Sequence, residues 1–218
     1  MIVTIITGAS RGIGKAITGG LSDFELILYS RNKVDFEDYS KVYYQVKTDL
    51  FGREIEQINL VLCASQIGTA NTLGLYEMDR IYRSNVLGNL AVVKAASEYG
   101  VPMRIVWLAG GGAAFPLPEF TGYALSKVAT VRAVENLSLT LKDTTIVALA
   151  PGAVDTDMLK KTIAAGCKIR TYTDVKESVD FVRKFILSDS TKLNGCFLHV
   201  RDDIDAVGKD IFKLRRVQ

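Results

Sequence analysis

The chain has 218 residues, 48% hydrophobic, 23% charged and 9% aromatic, which excludes a disordered or collagen-like polymer. The length fits one domain spanning residues 1–218, and a formal charge of +3, from 27 basic and 24 acidic residues, is too small to argue for a nucleic-acid or membrane partner. Cys63, Cys167 and Cys196 are odd in number and widely spaced, so neither a disulfide framework nor a CxxC motif can be read from them, and the single histidine, His199, excludes a polyhistidine metal site.

The apolar run Ile2, Val3, Ile5, Ile6 opens the chain without a basic leader or cleavage site. No apolar stretch nears the ~18 residues of a membrane span. A cytoplasmic protein is expected. Strands are predicted at residues 3–7, 25–30, 41–47, 59–64, 104–109, 145–150 and 196–200, alternating with helices at 12–21, 76–99, 123–141 and 174–187. This is the pattern of an α/β protein with seven parallel strands covered by helices. Only about ten residues, 31–40, separate the second and third predicted strands, room for one helical turn at most. Gly100 and Pro102 stop the helix before the fifth strand. In the last helix Val175, Val179, Val182 and Phe185/Ile186 mark one buried face. The basic tail, Lys213, Arg215 and Arg216, follows Asp202, Asp203, Asp205 and Asp210 and reads as solvated surface.

The segment Thr7-Gly8-Ala9-Ser10-Arg11-Gly12-Ile13-Gly14 lies between the first strand and the first helix. Glycines there allow a sharp turn and a close backbone approach, and the helix start offers unpaired N–H groups and a positive dipole end, which suits a dinucleotide pyrophosphate. A P-loop is excluded because Ala9 and Ala16 stand where GxxxxGK[ST] needs Gly and Ser or Thr. After the second strand the chain reads Tyr29-Ser30-Arg31, with no acid to bind the adenosine ribose hydroxyls. Arg31, with Arg11, suits a 2′-phosphate, so NADP(H) is preferred over NAD(H); the alternative is an exposed loop cation. Asp49-Leu50, after the third predicted strand, are candidates for the adenine pocket, unless Asp49 caps a helix.

Tyr123 and Lys127 are four residues apart at the start of a predicted helix, on one face. A neighbouring ammonium favours phenolate and lowers the ordinary phenol pKa near 10, so the pair can move a proton.

These features, together with Asn85 in Ser84-Asn85-Val86-Leu87-Gly88 and the run Pro151-Gly152-Ala153-Val154-Asp155-Thr156, resemble the short-chain dehydrogenase/reductases of the small single-domain type over roughly residues 2–200. The resemblance implies a doubly wound Rossmann fold with strand order 3-2-1-4-5-6-7, and a homodimer or homotetramer packed through the helices containing Asn85 and Tyr123. It also implies hydride transfer between a nicotinamide cofactor and a small carbonyl or alcohol. In that setting Tyr123 is the general acid/base, Lys127 lowers its pKa and holds the nicotinamide ribose, and Asn85 supports a water of the proton relay. Gly8, Ser10, Arg11, Gly12, Ile13 and Gly14 cradle the cofactor phosphates, Ala64 and Ser65 back its ribose, and Pro151, Gly152 and Thr156 shape the nicotinamide pocket.

Two departures stand out. The family's serine, about thirteen residues before the tyrosine, falls on Gly110, flanked by Ala109, Gly111 and Gly112. Losing one donor aimed at a developing oxyanion typically costs ~100- to 1000-fold in rate. Backbone N–H groups of that turn are one substitute; a catalytically weak NADP(H)-binding or redox-sensing protein is the alternative function. Cys63-Ala64-Ser65-Gln66 also replaces the usual Asn-Asn-Ala-Gly, which places the strand contacts of those asparagines in question. Cys63 and His199 read as structural residues. Residues 157–173 are expected to cover the substrate pocket, and Lys160, Lys161, Lys168 and Arg170 within them are candidate attractors of an anion.

Overall fold

The computed structural model describes residues 1–70, 73–169 and 172–203. Arg170 and the tail residues Asp205, Asp210, Lys213, Arg215 and Arg216 lie outside the described residues. Among the described residues six strands form one parallel sheet: β1 Ile2–Thr7, β2 Glu25–Tyr29, β3 Gln57–Leu62, β4 Met103–Leu108, β5 Thr144–Ala150 and β6 Phe197–His199, in spatial order β2-β1-β3-β4-β5-β6. The strand order reverses between β1 and β3, which places a crevice at their carboxyl ends, where open α/β sheets bind ligands. Thr7 pairs with Tyr29 on one side and with Leu62 on the other.

Successive strand residues point to opposite faces, and each face has its own core. Ile5, Leu60, Ile105 and Ala148 pack with Val42, Val46, Val92, Ala95, Val131 and Val134. Ile6, Val61, Val106 and Leu149 pack with Ile17, Leu21, Phe181, Val182, Phe185 and Ile186. The first face is covered by α2 Tyr39–Leu50, α4 Gly88–Ser97 and α6 Thr121–Thr140, and the second by α1 Gly12–Gly20 and α8 Val175–Leu187. Burying both faces explains the near-continuous apolar strands, and Asp174 and Glu177 form a capping box at the start of α8. The shorter helices α3 Leu75–Tyr82, α5 Gly111–Ala114 and α7 Asp157–Ala164 lie in the connections.

The sequence-predicted strand at 41–47 is a helix, which reduces the seven expected strands to six and leaves β2 at the sheet edge. Lys-Val-Tyr-Tyr-Gln-Val-Lys is rich in β-formers, but tertiary packing overrides that propensity. Val42, Val46 and Leu50 recur every four residues and are all at most 1% exposed, and Asp38 caps the start by accepting from the Lys41 N–H at 3.1 Å. The helix expected over 76–99 is also present in altered form. It is interrupted by a π-helical turn at Arg83–Leu87, between α3 and α4, which contains Asn85. No helix among the described residues is long and apolar enough to cross a membrane.

Candidate active site

The turn after β1 is held by backbone proximity. Gly8 has φ +67°, and a Cβ there would stand 2.9 Å from the Ala64 nitrogen; at Gly14 it would collide with the Gly8 carbonyl. Gly12, at φ +54°, faces the Thr156 methyl group, and Thr156 accepts from the Leu159 N–H as the cap of α7. Arg11 precedes α1 in extended backbone. The start of α1 has no side-chain cap and no acid in its first turn, which leaves its dipole end open to an anion. Ser10, Arg11 and Gly12 are exposed, while Ile13 packs partly into the core.

At the end of β2, Arg31 is exposed. Nearby Glu37 receives both an Nε and an NH2 bond from Arg80, at 2.8 and 2.9 Å, and one from Gln66 at 3.2 Å. The Arg80 bonds foremost, with smaller contributions from Gln66 and the Arg31 charge, hold its carboxyl below the usual range. Asp49 and Leu50 do not follow a third strand: both belong to the last turn of α2, and Arg53 just beyond it pairs with Glu25 at the start of β2. Leu50 is core, and Asp49 is occupied by the Tyr29 hydroxyl at 2.5 Å, the Lys33 ammonium at 2.9 Å and the Gln45 amide at 3.1 Å. The stretch that leads into α2 at the ligand edge is Val34-Asp35-Phe36, with Val34 and Phe36 buried and Asp35 exposed.

After β3, Ala64 lies against Gly8, and the Ser65 hydroxyl is buried without a hydrogen-bond partner, an orphaned polar group suited to a ligand hydroxyl. Asn85 is fully buried. Its Oδ1 accepts from the Gln66 N–H at 2.8 Å, and its Nδ2 donates to the Gln66 carbonyl at 2.9 Å and to Ser126 Oγ at 3.0 Å. The side chain therefore pairs with the Gln66 peptide much as a neighbouring strand would.

Lys127 is 2% exposed and donates to the Leu108 carbonyl at 2.9 Å, at the carboxyl end of β4, with its ammonium 5.3 Å from the centroid of the Tyr123 ring. Burial lowers Lys127 to about 8. Burial also pushes Tyr123 up to about 12. This reverses the direction expected for the phenol, and removal from water is its cause. Cys63, just beyond β3, lies near Lys127, and burial pushes its thiol up to about 12, which disfavours the reactive thiolate.

The loop after β4 has no serine. Gly110 stands there at φ +121°, and a Cβ on it would lie 3.6 Å from the Tyr123 hydroxyl, so the sequence correspondence is spatial as well. Thr121 donates to the Pro118 carbonyl at 3.3 Å. On the opposite wall Pro151 is buried, Gly152 has φ +71°, and the Thr173 hydroxyl behind Gly152 is buried and unpartnered. His199 Nδ1 accepts from the Arg201 N–H at 3.2 Å, a structural arrangement at the end of β6. Lys160, Lys161 and Lys168 are exposed, Lys160 lying 3.9 Å from Asp155. Asn89, absent from the sequence-derived site, is fully buried one helical turn beyond Asn85, in contact with Thr7 and Ala64; the signal was a polar residue on an otherwise apolar helix face.

A parallel α/β sheet with a glycine turn at its switch point and a tyrosine–lysine pair beside it defines a nucleotide-dependent oxidoreductase class. The family model described as short chain dehydrogenase matches residues 35–166, more than half of the chain, and the protein belongs to that family. A curated relative, the short chain dehydrogenase gsfK of Penicillium aethiopicum, is 24% identical over 237 residues, covering 89% of this chain and 94% of that protein. Among solved structures, 4-hydroxyisoleucine dehydrogenase complexed with NADH has a TM-score of 0.77 at 16% identity, over 91% of this chain and 96% of that one. The NADPH-bound carbonyl reductase from chicken fatty liver has a TM-score of 0.70 at 20% identity, again over 91% and 96%. These two share the fold.

Proposed function

We propose that the chain is an NADP(H)-dependent oxidoreductase that interconverts a small carbonyl compound and its alcohol, with Tyr123 as acid/base. The observation that carries this reading is the Tyr123 hydroxyl beside Gly110 with the buried Lys127 ammonium beneath its ring, next to the Gly8–Gly14 turn. The Gly8 and Gly14 cradle, the open start of α1 and the unpartnered Ser65 hydroxyl fit a dinucleotide's phosphates and ribose. When bound, such a cofactor supplies or accepts the hydride. In reduction Tyr123 gives its phenolic proton to the carbonyl oxygen; a phenol held at about 12 is protonated at neutral pH, the state that direction needs. Lys127, at about 8, is mostly charged at neutral pH and stabilises the phenolate left behind. Asn85 holds the Gln66 peptide, and Pro151, Gly152 and Thr156 form the opposite wall. Asp35 replaces Asp49 and Leu50 on the adenosine side.

Arg31 and Arg11 supply the 2′-phosphate preference, since Glu37 is already engaged by Arg80. NAD(H) remains the second cofactor of this site. The same reading includes a cytoplasmic, single-domain protein and a homo-oligomer packed through α3, α4 and α6, where Leu75, Tyr76, Leu125 and Val128 are exposed. A second reading, a weakly catalytic NADP(H)-binding protein, is favoured by one observation: a glycine at φ +121° in place of the serine hydroxyl.

Turnover of an aldehyde and dicarbonyl panel by wild type and Tyr123→Phe separates the two. The enzyme reading expects a loss of ~100- to 10,000-fold, the usual worth of a positioned acid/base, and activity unchanged by the substitution removes Tyr123 from the mechanism. Arg31→Asp is expected to weaken NADPH ~10- to 100-fold and NADH by less than about 3-fold, measured by fluorescence titration. Equal losses would place the 2′-phosphate elsewhere.

A further inference from the structure

The β1–β3 ladder ends at the pair Thr7 and Leu62, and beyond it Gly8 lies in close approach to Cys63-Ala64 without ladder pairing. Cys63 and Ala64 carry no side-chain amide to tie the two strands there. Asn89 reaches the gap from α4. It is fully buried, between Asn85 and the apolar stretch Ala91, Val92, Val93, where a carboxamide is costly unless each polar atom is matched.

The matching is complete and sets the orientation of the amide. Thr7 Oγ1 accepts from the Cys63 and Ala64 N–H groups, both at 2.9 Å, so its own proton goes outward, to Asn89 Oδ1 at 2.9 Å. Asn89 Nδ2 donates to the Ala64 carbonyl at 2.9 Å and to the Asn85 carbonyl at 3.0 Å. The Ala64 N–H, the Thr7 hydroxyl and the Asn89 amide thus form a closed ring back to the Ala64 carbonyl. That ring joins the end of β1, the first residues beyond β3 and the π-helical turn that carries Asn85.

We propose that Asn89 is a positioning residue of the coenzyme cleft, replacing from the helix the strand asparagines this chain lacks and fixing the backbone of residues 63–64 against Thr7. Because Gly8 lies so close to Ala64, the ring sets the height of the phosphate turn, and through Asn85 it ties that turn to the Gln66 peptide. The inference rests on the reading of the cleft as a nucleotide site.

Amide hydrogen exchange and NADPH titration on Asn89→Ala, the near-isosteric Asn89→Leu and Thr7→Val test it. In the nucleotide-free variants the Cys63 and Ala64 amides exchange at least ~10-fold faster while those of Leu60 and Val106 in mid-sheet keep their protection, a local opening that general destabilisation would not mimic. The NADPH Kd rises ~10- to 100-fold, the range for stranding buried hydrogen-bond partners. Thr7→Val combined with Asn89→Ala costs no more than the worse single change, since both break one ring. Should Asn89→Ala not fold, Asn89→Leu and Thr7→Val give the same readouts. Unchanged Cys63 and Ala64 exchange in folded variants overturns the ring, and faster exchange with unchanged Kd overturns the positioning role. A wild-type chain that binds neither NADPH nor NADH overturns the nucleotide reading and this inference with it, a result distinct from variants that bind as well as a binding wild type.

Discussion

Around Tyr123 the two walls of the cleft are built in opposite ways. On the β1–β3 side the side chains of Thr7, Asn85 and Asn89 lock each backbone to its neighbour, and glycines occur where another backbone comes within contact distance. On the β4 side residues 109–112 are Ala-Gly-Gly-Gly, and the space facing the Tyr123 hydroxyl is left without a side chain. The first wall is held by hydrogen bonds and close backbone approach, as the proposed coenzyme site requires. In the proposed function the second leaves substrate orientation to the substrate and to the protein backbone.

The largest test of this contrast is Gly8→Ala. The new methyl group meets the Ala64 backbone in a left-handed conformation, a combination costing about 3 kcal/mol, so nucleotide affinity is expected to fall ~100-fold or more in a calorimetric titration. An unchanged affinity would mean that the turn is not tightly specified. Gly110→Ser probes the other wall. Its φ of +121° suits glycine alone, so the added hydroxyl is expected to cost about 1–3 kcal/mol of stability, several degrees of Tm, without restoring a fast enzyme. A turnover gain of ~100-fold at unchanged Tm would show that only the hydroxyl was missing.

The smallest effect concerns the ammonium between the walls. Lys127, at about 8 when folded against 10.5 for the free side chain, is destabilising while charged. Between those values the unfolded chain holds a proton that the folded chain has released, so this group's contribution makes stability rise with pH across that window. Lys127→Met is therefore expected to stabilise the cofactor-free protein by about 1–2 kcal/mol below pH 8, a gain that shrinks towards pH 10, while abolishing turnover. Tyr123 acts with the opposite sign and at higher pH. Its folded proton is kept to about 12 while the unfolded phenol ionises from 10, so stability falls between those values in both proteins. Thermal melts at stepped pH check both signs; a Lys127→Met protein less stable at every pH would show the ammonium to be a net structural asset.

Most of the sheet was legible because strands buried on both faces read as short apolar runs between turn residues. The elements that differed have local causes. Lys41 to Lys47 carries strand-forming residues, yet Val42, Val46 and Leu50 share a helix face, and the choice was made by burial of that face in the core beside α4 rather than by propensity. Asp49 and Leu50 belong to the helix that stands where that strand was expected. The placement of Gly8, Asn85, Tyr123 and Lys127 was legible from their motifs, and at Gly8 the close approach of Ala64 and a positive φ leave room for glycine alone. Asn89 was not, because a single polar residue in an apolar helix does not reveal which backbone it will meet. The elevated Tyr123 pKa was also hidden, since spacing places the ammonium near the phenol but burial is the cause of the shift.

The most direct measurement is a calorimetric titration of NADPH and NADH into the wild-type chain. Saturable one-to-one binding with NADPH tighter than NADH is the predicted result, and a folded protein that takes up neither nucleotide would contradict the account.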